Sequence, residues 1–238
     1  QPVRTEERVH FPLSQLDSVE SVLLLSGGMA GTVEEINKYK PAGIDYVDIN
    51  PWLIEAEKRF FPDKDYKYVR IVNQDARFYI EQTGQSYDAA IINLPEPSTA
   101  QINRFYTKEF YVSLKKKLTQ DAVISFSLSG SSNYLSEETR ALYTSVCKTL
   151  REVFENVLIV PGNSNYFLAS DQQLSYDITS RLKERNISTK YVNEFYFDTD
   201  LVKRRGTKIM NALDSEVAIN TDFQPVIYFL KLNQWAST

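Results

Sequence analysis

The sequence predicts an α/β protein with a mostly parallel sheet and helices on both of its faces. Strand-like and helix-like segments alternate at least five times along the 238 residues, which is typical of doubly wound sheets. The last two strand-like segments, 156–160 and 165–170, are separated only by PGNS. A link of this length and composition predicts an antiparallel hairpin at the end of the sheet.

The strands are predicted from apolar runs that end at turn residues, as buried strands do. In chain order they are 19–25, 44–49, 68–72, 87–93, 122–128, 156–160 and 165–170. The helices are predicted from capping residues and amphipathic spacing, with Thr32 and Ser136 as expected N-caps. They cover 32–39, 51–61, 76–82, 107–118 and 136–154. A mostly parallel sheet with an antiparallel closing hairpin predicts a Rossmann-like class I methyltransferase-type fold.

Composition excludes several classes of function. Lys and Arg total 27 against 31 Asp and Glu, and the net charge of −4 argues against general nucleic-acid binding. His10 is the only histidine, so a site with several histidine ligands is excluded and we expect no metal. Cys147 is the only cysteine and gives no sign of an oxidising compartment. No apolar run reaches the roughly 18–20 residues that span a bilayer.

The loop after the first strand reads SGGMAG, residues 26–31. In open parallel sheets, ligands bind outside the carboxyl ends of the strands, so the residues that follow each strand are the candidates for a site. Glycine at positions 27, 28 and 31 lets backbone amides approach a ligand closely. The alternative is a tight turn without a ligand.

Acidic residues follow the second and third strands. Asp48 is suited to accept hydrogen bonds from ribose hydroxyls, and Asp75 from the exocyclic amine of adenine. Their alternatives are a solvated strand-end acid and a helix N-cap, respectively. Together with the glycine loop, these two acids predict a slot for an adenine nucleoside. A nicotinamide dehydrogenase is disfavoured, because Ser26 replaces the first glycine of the G-x-G-x-x-G pattern of that class. The predicted nucleoside-binding residues are Gly27, Gly28, Met29, Gly31, Asp48, Ile49, Asp75, Ala76 and Leu94.

The segments NLPEP and FYTKEFY follow the fourth strand, after SGGMAG, VDIN and NQDARFYI. In this order, across 26–111, the chain resembles the spermidine synthase (polyamine aminopropyltransferase) family, and a weaker similarity continues to residue 171. The resemblance implies transfer of an aminopropyl group from decarboxylated S-adenosylmethionine to a polyamine acceptor such as a diamine. It implies this nucleoside as co-substrate and no tightly bound cofactor.

The resemblance also implies roles for individual residues. It assigns the ribose to Asp48, the adenine to Asp75, and the paired carboxylates of the amine site to positions 93 and 96. Asn93 is neutral and cannot serve as a base, so the resemblance leaves Glu96 as the catalytic acid–base residue.

Three further residues have two interpretations each. Tyr106 either assists Glu96 or packs against the sheet. Glu109 either assists Glu96 or lies on a solvated helix face. The resemblance puts His10 near the mouth of the active site, and the alternative is a half-buried histidine in an irregular segment.

Three functions stay open at this point. The first is the spermidine synthase-like transferase. The second is a catalytically degenerate regulatory domain that binds an adenosyl nucleoside, which Asn93 and Met29 favour because the family usually carries Asp at both positions. The third is an S-adenosylmethionine-dependent methyltransferase, because a loop without an acid at position 29 suits the carboxylate of that donor.

We expect a remnant of an N-terminal segment in 1–18, a Rossmann-like nucleoside-binding domain in 19–196, and a helical extension packed on it in 197–238. The stretch 225–235 is aromatic and apolar, and it predicts either an edge strand or the approach to a membrane-spanning segment. Some members that resemble this chain are joined to membrane helices, which makes a membrane-associated protein a further expectation. The expected location is the cytoplasm or the cytoplasmic face of a membrane, and a homo-oligomer is compatible with the sequence.

Overall fold

The computed structural model describes residues 2–60, 66, 68–130, 135–213 and 216–236. Its strands form a single sheet. They are β1 (Ser21–Leu25), β2 (Gly43–Asp48), β3 (Val69–Asn73), β4 (Tyr87–Ile92), β5 (Leu118–Leu128), β6 (Asn156–Pro161) and β7 (Asn165–Ser170). Their order in the sheet is β3-β2-β1-β4-β5-β7-β6.

The first five strands are parallel, and β7 lies antiparallel between β5 and β6. The predicted α/β fold with an antiparallel closing hairpin is therefore confirmed. β1 pairs with β2 on one side and with β4 on the other, so the strand order reverses beside β1. Such a reversal opens a crevice at the carboxyl ends of the strands.

Helices connect the strands and cover both faces of the sheet. They are α1 (Pro2–Leu13), α2 (Thr32–Asn37), α3 (Pro51–Phe60), α4 (Ala76–Gln82), α5 (Ala100–Asn103), α6 (Lys108–Lys115), α7 (Glu137–Arg151), α8 (Ile178–Glu184), α9 (Thr199–Asn211) and α10 (Val226–Ala236). Ser136 caps α7, as predicted, by accepting a bond from the Thr139 amide. The prediction for Thr32 is wrong by one position, because Gly31 is the N-cap of α2.

Two apolar cores lie on opposite faces of the sheet. Leu23 and Leu25 point into one core, and Val22 and Leu24 point into the other. Successive side chains of a strand face opposite sides, so a strand buried on both faces is apolar throughout. This explains why β1 has no alternation of polar and apolar residues.

The C-terminal stretch differs from its prediction as an edge strand. Residues 226–236 form α10, which packs against α7, and Ile227 is wholly buried. The edges of the sheet are β3 and β6 instead. Among the helices of the described ranges, none combines the length and apolarity that crossing a membrane requires.

Candidate active site

A cleft lies at the carboxyl ends of the parallel strands. Its walls come from the loops after β1, β2, β3 and β4 and from the segment around α5. They are formed by Ser26, Val47, Asp48, Ile49, Gln74, Asp75, Ala76, Leu94, Gln101, Ile102, Arg104 and Phe105. Five of the residues predicted to bind a nucleoside thus meet around one cavity, namely Asp48, Ile49, Asp75, Ala76 and Leu94.

Asp48 is held in place by three donors. Its Oδ2 accepts bonds of 2.9 Å from the hydroxyls of Ser26 and Tyr46, and its Oδ1 accepts one of 2.8 Å from the Asn50 amide. Ser26 makes its bond from a left-handed backbone conformation, with φ of 63°. A carboxylate has about four acceptor positions, so Asp48 retains capacity for a ligand hydroxyl.

Asp75 combines a structural role with an available oxygen. As the N-cap of α4, its Oδ1 accepts bonds from the amides of Arg77 at 3.0 Å and Phe78 at 3.2 Å. The same oxygen lies 2.5 Å from Nη2 of Arg104. No hydrogen bond between described residues ends on Oδ2 of Asp75. The N-cap interpretation is therefore compatible with the ligand interpretation, because each uses a different oxygen.

Sequence reasoning missed Arg104, which follows α5 in a short 3-10 turn. Its guanidinium stacks on the Phe105 ring, 4.9 Å from the ring centroid, and pairs with Asp75. Arg104 thus links Asp75, which follows β3, to the segment that follows β4. An arginine before FYTKEFY could only have been read as a surface charge without knowledge of this proximity.

The glycine loop packs closely against the end of β4. Gly27 and Gly28 have φ of 79° and 87°, conformations that residues with a side chain rarely adopt. A Cβ at Gly27 would lie 1.7 Å from Nδ2 of Asn93. Asn93 therefore contacts the loop, and neither it nor Gly27 is part of the cleft wall.

Met29 points away from the cleft, and a residue that sequence reasoning missed binds its backbone. The Met29 side chain is wholly buried in the core on the α1 and α2 side of the sheet. Its amide donates to both oxygens of Glu57, at 2.6 and 2.8 Å, and the Ala30 amide donates to Oε1 at 3.3 Å. Glu57 lies on α3 and is only 7% exposed. The glycine loop thus holds a carboxylate of the chain itself.

Burial raises the pKa of the Glu57 carboxyl, and the negative charges of Asp48 and Glu34 add to this shift. The bonds from the two loop amides act in the opposite direction. Gly31, at the start of α2, lies beyond these amides and borders a separate cavity beside Glu35 and Lys38. It does not reach the cleft.

Glu96 is engaged by a lysine from the other end of the chain. Its Oε2 lies 2.6 Å from Nζ of Lys231 on α10, and the two side chains are 28% and 14% exposed. The Ser129 amide also donates to Glu96. Burial raises the pKa of Glu96, but the Lys231 ion pair and the Ser129 bonds outweigh it, so the pKa is lowered overall. Glu96 is a weak base in this state.

The two predicted assistants of Glu96 hold backbone groups. Tyr106 is wholly buried and donates its hydroxyl proton to the Pro95 carbonyl at 2.9 Å. Burial also raises its pKa. Glu109 accepts a bond of 3.0 Å from the Asp222 amide. Neither residue lines the cleft, and Tyr106 has the packing position that was its alternative.

His10 does not lie at the mouth of the cleft. It is wholly buried, and its ring nitrogens lie 2.9 Å from the Tyr39 hydroxyl and 2.8 Å from Oε2 of Glu35. The segment around it is the helix α1 rather than an irregular stretch. Neither bonded partner of His10 borders the cleft. Within the described ranges, no three His, Cys, Asp or Glu residues are grouped so that they could hold a metal ion.

Comparison with protein families and curated proteins gives consistent similarities. The model of the spermine/spermidine synthase domain matches residues 2–168. Polyamine aminopropyltransferase 2 of Aquifex aeolicus is 28% identical over 205 residues, which cover 79% of this chain and 39% of that protein. Polyamine aminopropyltransferase of Sulfurisphaera tokodaii is 28% identical over 200 residues, which cover 76% of this chain and 64% of that protein. The chain thus spans less than two thirds of either relative.

Solved structures share the fold at lower sequence identity. A spermidine synthase in complex with the transition-state analogue AdoDATO superposes with a TM-score of 0.72 at 19% identity, covering 90% of this chain and 75% of that one. Human methyltransferase-like protein 13 in complex with SAH superposes with a TM-score of 0.58 at 15% identity, covering 84% of this chain and 96% of that one. Both similarities support the class I methyltransferase-type fold described above.

Proposed function

This chain belongs to the spermine/spermidine synthase domain family, and we propose from this that it is an aminopropyltransferase. The donor is decarboxylated S-adenosylmethionine, the acceptor is a polyamine, and neither is a tightly bound cofactor. The observation that carries the proposal is the common cleft of Asp48 and Asp75 at the point where the strand order reverses. The cytoplasm or the cytoplasmic face of a membrane stays the predicted location, and membrane attachment and a homo-oligomer also stay predictions.

In the proposed complex, the two acids bind opposite ends of the nucleoside. A ribose hydroxyl donates to Asp48, and the exocyclic amine of adenine donates to Oδ2 of Asp75. The base lies between apolar side chains of the cleft, among them Leu94, Ile102 and Phe105. An apolar slot with a few fixed polar groups is the common form of a nucleoside site.

In the proposed reaction, the acceptor amine attacks the donor carbon next to the sulfonium. A nitrogen–carbon bond forms, the carbon–sulfur bond breaks, and methylthioadenosine leaves as the neutral product. The attacking nitrogen loses a proton, which Glu96 receives. The acceptor ammonium first replaces Lys231 on Glu96, an exchange of one cation for another at the same carboxylate.

The regulatory domain is the second candidate, and a specific observation favours it. The family's amine site has a neutral residue at Asn93, and its remaining acid, Glu96, is already paired with Lys231. Such a domain would bind the nucleoside in the cleft and leave it intact.

Calorimetry and product analysis separate these functions. We expect methylthioadenosine and decarboxylated S-adenosylmethionine to bind, and methylthioadenosine to be released from the donor only when putrescine is added. Glu96→Gln should abolish this release and leave nucleoside affinity unchanged. Binding without release would favour the regulatory domain. If no nucleoside binds and Asp75→Ala behaves like the unmodified protein, both candidates are wrong.

A further inference from the structure

We propose that Glu57 determines donor specificity by excluding adenosyl compounds whose tail carries a carboxylate. This role deepens the proposed function and rests on it, because it concerns the tail of the nucleoside bound by Asp48 and Asp75. Glu57 follows Asp48 by nine residues, and it reaches the loop from the second turn of α3.

The backbone geometry supplies the first reason. The glycine loop starts at Ser26, which borders the cleft. The amides of Met29 and Ala30 follow three and four residues later in the chain. Free amides beside glycines are natural partners for a ligand carboxylate, because they are donors without a covering side chain. Glu57 already accepts from both amides, with its shortest bond at 2.6 Å. A carboxylate on the ligand would find these donors occupied.

The space around Gly28 supplies the second reason. A Cβ at this position would lie 2.6 Å from Oε1 of Glu57. The absence of a side chain at Gly28 is therefore what admits the Glu57 carboxylate to the loop. The glycine, whose φ is 87°, serves contact with a residue of the chain itself.

Charge supplies the third reason. The buried carboxyl of Glu57 lies within electrostatic range of the carboxylates of Asp48 and Glu34. A second carboxylate there meets like charge at short range, whereas an ammonium meets opposite charge. S-adenosylmethionine has both groups on its tail, and its decarboxylated form has the ammonium alone. Glu57 thereby supplies the carboxylate that the family usually carries at position 29, where this chain has Met29.

The test measures three dissociation constants by calorimetry for each protein, namely those of methylthioadenosine, S-adenosylmethionine and decarboxylated S-adenosylmethionine. The variants are Glu57→Gln, which removes the charge, and Glu57→Asp, which keeps it. Glu55→Gln, on the exposed side of the same helix, is the matched control. Methylthioadenosine has no charged tail and reports on the nucleoside site alone.

We expect the unmodified protein to bind the decarboxylated compound at least about tenfold more tightly than S-adenosylmethionine, because one unfavourable charge contact separates the two. In Glu57→Gln this ratio should fall about tenfold, mainly through tighter binding of S-adenosylmethionine. Methylthioadenosine affinity should stay constant, Glu57→Asp should keep most of the selectivity, and Glu55→Gln should change nothing.

Unequal outcomes identify which idea has failed. If methylthioadenosine binds to every variant and the ratio is the same in Glu57→Gln, Glu57 does not set specificity, while the nucleoside site stands. If Glu57→Gln loses methylthioadenosine and remains folded by thermal unfolding, Glu57 supports the loop and the specificity role is overturned. If no nucleoside binds to the unmodified protein, the proposed function fails and takes this role with it.

Discussion

The ammonium of Lys231 and the carboxylate of Glu96 form an ion pair, with 2.6 Å between Nζ and Oε2. It joins α10 to the loop after β4. A polyamine acceptor would bring the same chemical group to the same carboxylate. Lys231 and an acceptor therefore compete for Glu96 under the proposed function.

Removal of this competition should strengthen binding of the acceptor. In Lys231→Gln, an amide replaces the ammonium, and the pKa of Glu96 rises because burial is no longer offset by the ion pair. We expect KM for putrescine to fall about tenfold, equivalent to the loss of roughly 1.4 kcal/mol of competition. Steady-state release of methylthioadenosine measures this. Lys203→Gln, an exposed lysine on α9, is the control, and an unchanged KM in Lys231→Gln would show that Lys231 does not occupy the acceptor position.

Asp75 should be essential for nucleoside affinity beyond its role as a cap. Asn is also a good N-cap, so Asp75→Asn keeps α4 capped and removes the charge that would accept from adenine. We expect methylthioadenosine affinity to fall by a factor of about 10–100, since a hydrogen bond to a charged group contributes about 1.5–3 kcal/mol. Asp198→Asn is the matched control, because Asp198 caps α9 by accepting a bond from the Leu201 amide. This variant should leave the affinity for methylthioadenosine unchanged in calorimetry. Equal affinities for both variants would contradict the role of Asp75.

Asp222 should make stability depend on pH. The bonds from Arg77, at 2.6 and 2.9 Å, hold the pKa of Asp222 below its ordinary value. Its stabilisation is therefore complete above the ordinary aspartate pKa of about 3.9 and is lost as the pH falls through the lowered pKa. At neutral pH, Asp222→Asn should lower the free energy of unfolding by about 1 kcal/mol, because solvent screens this partly exposed pair.

Urea unfolding at several pH values measures this difference, which should shrink as the pH falls below about 3.9. Asp121→Asn, at an exposed position in β5, is the control and should show no such trend. A difference for Asp222→Asn that is constant with pH would contradict the ion pair as its source.

Cys147 should be unreactive in the folded protein. It is wholly buried on α7, and burial raises the pKa of its thiol to about 12. Because thiolate is the reactive form, labelling by a maleimide in native buffer should be at least about a hundredfold slower than in urea. Mass spectrometry follows the labelled fraction over time. Rapid labelling under native conditions would show that α7 separates readily from the sheet.

The sheet and the positions of Asp48 and Asp75 could be predicted because they depend on local sequence. A strand buried on both faces must be apolar in its buried part, as residues 22–25 are. Once the strands are assigned, topology brings their carboxyl ends to one edge, which is why two acids from different strands reach one cleft. This inference needed no contact between distant segments.

Contacts between distant segments account for what the sequence did not reveal. Glu57 reaches the glycine loop through the packing of α3, and Lys231 reaches Glu96 through the packing of α10. No local sequence pattern encodes that packing. The edge-strand interpretation of 225–235 is wrong, although α10 lies in the helical extension expected over 197–238. That interpretation rests on Val226, Ile227, Tyr228 and Phe229, which all favour strands. Burial of Ile227 and packing of α10 against α7 override that preference in the structure.

The hydroxyls of Ser26 and Tyr46 and the amide of Asn50 fix the orientation of the Asp48 carboxylate. A nucleoside that binds to this carboxylate meets a group whose rotational freedom is already spent. Under the proposed function, ordering of Asp48 therefore lowers the affinity for the nucleoside little. The conformational entropy of this side chain was lost when the chain folded. Ser26 adds to the cost of folding, because it keeps a left-handed backbone angle that glycine would adopt more easily.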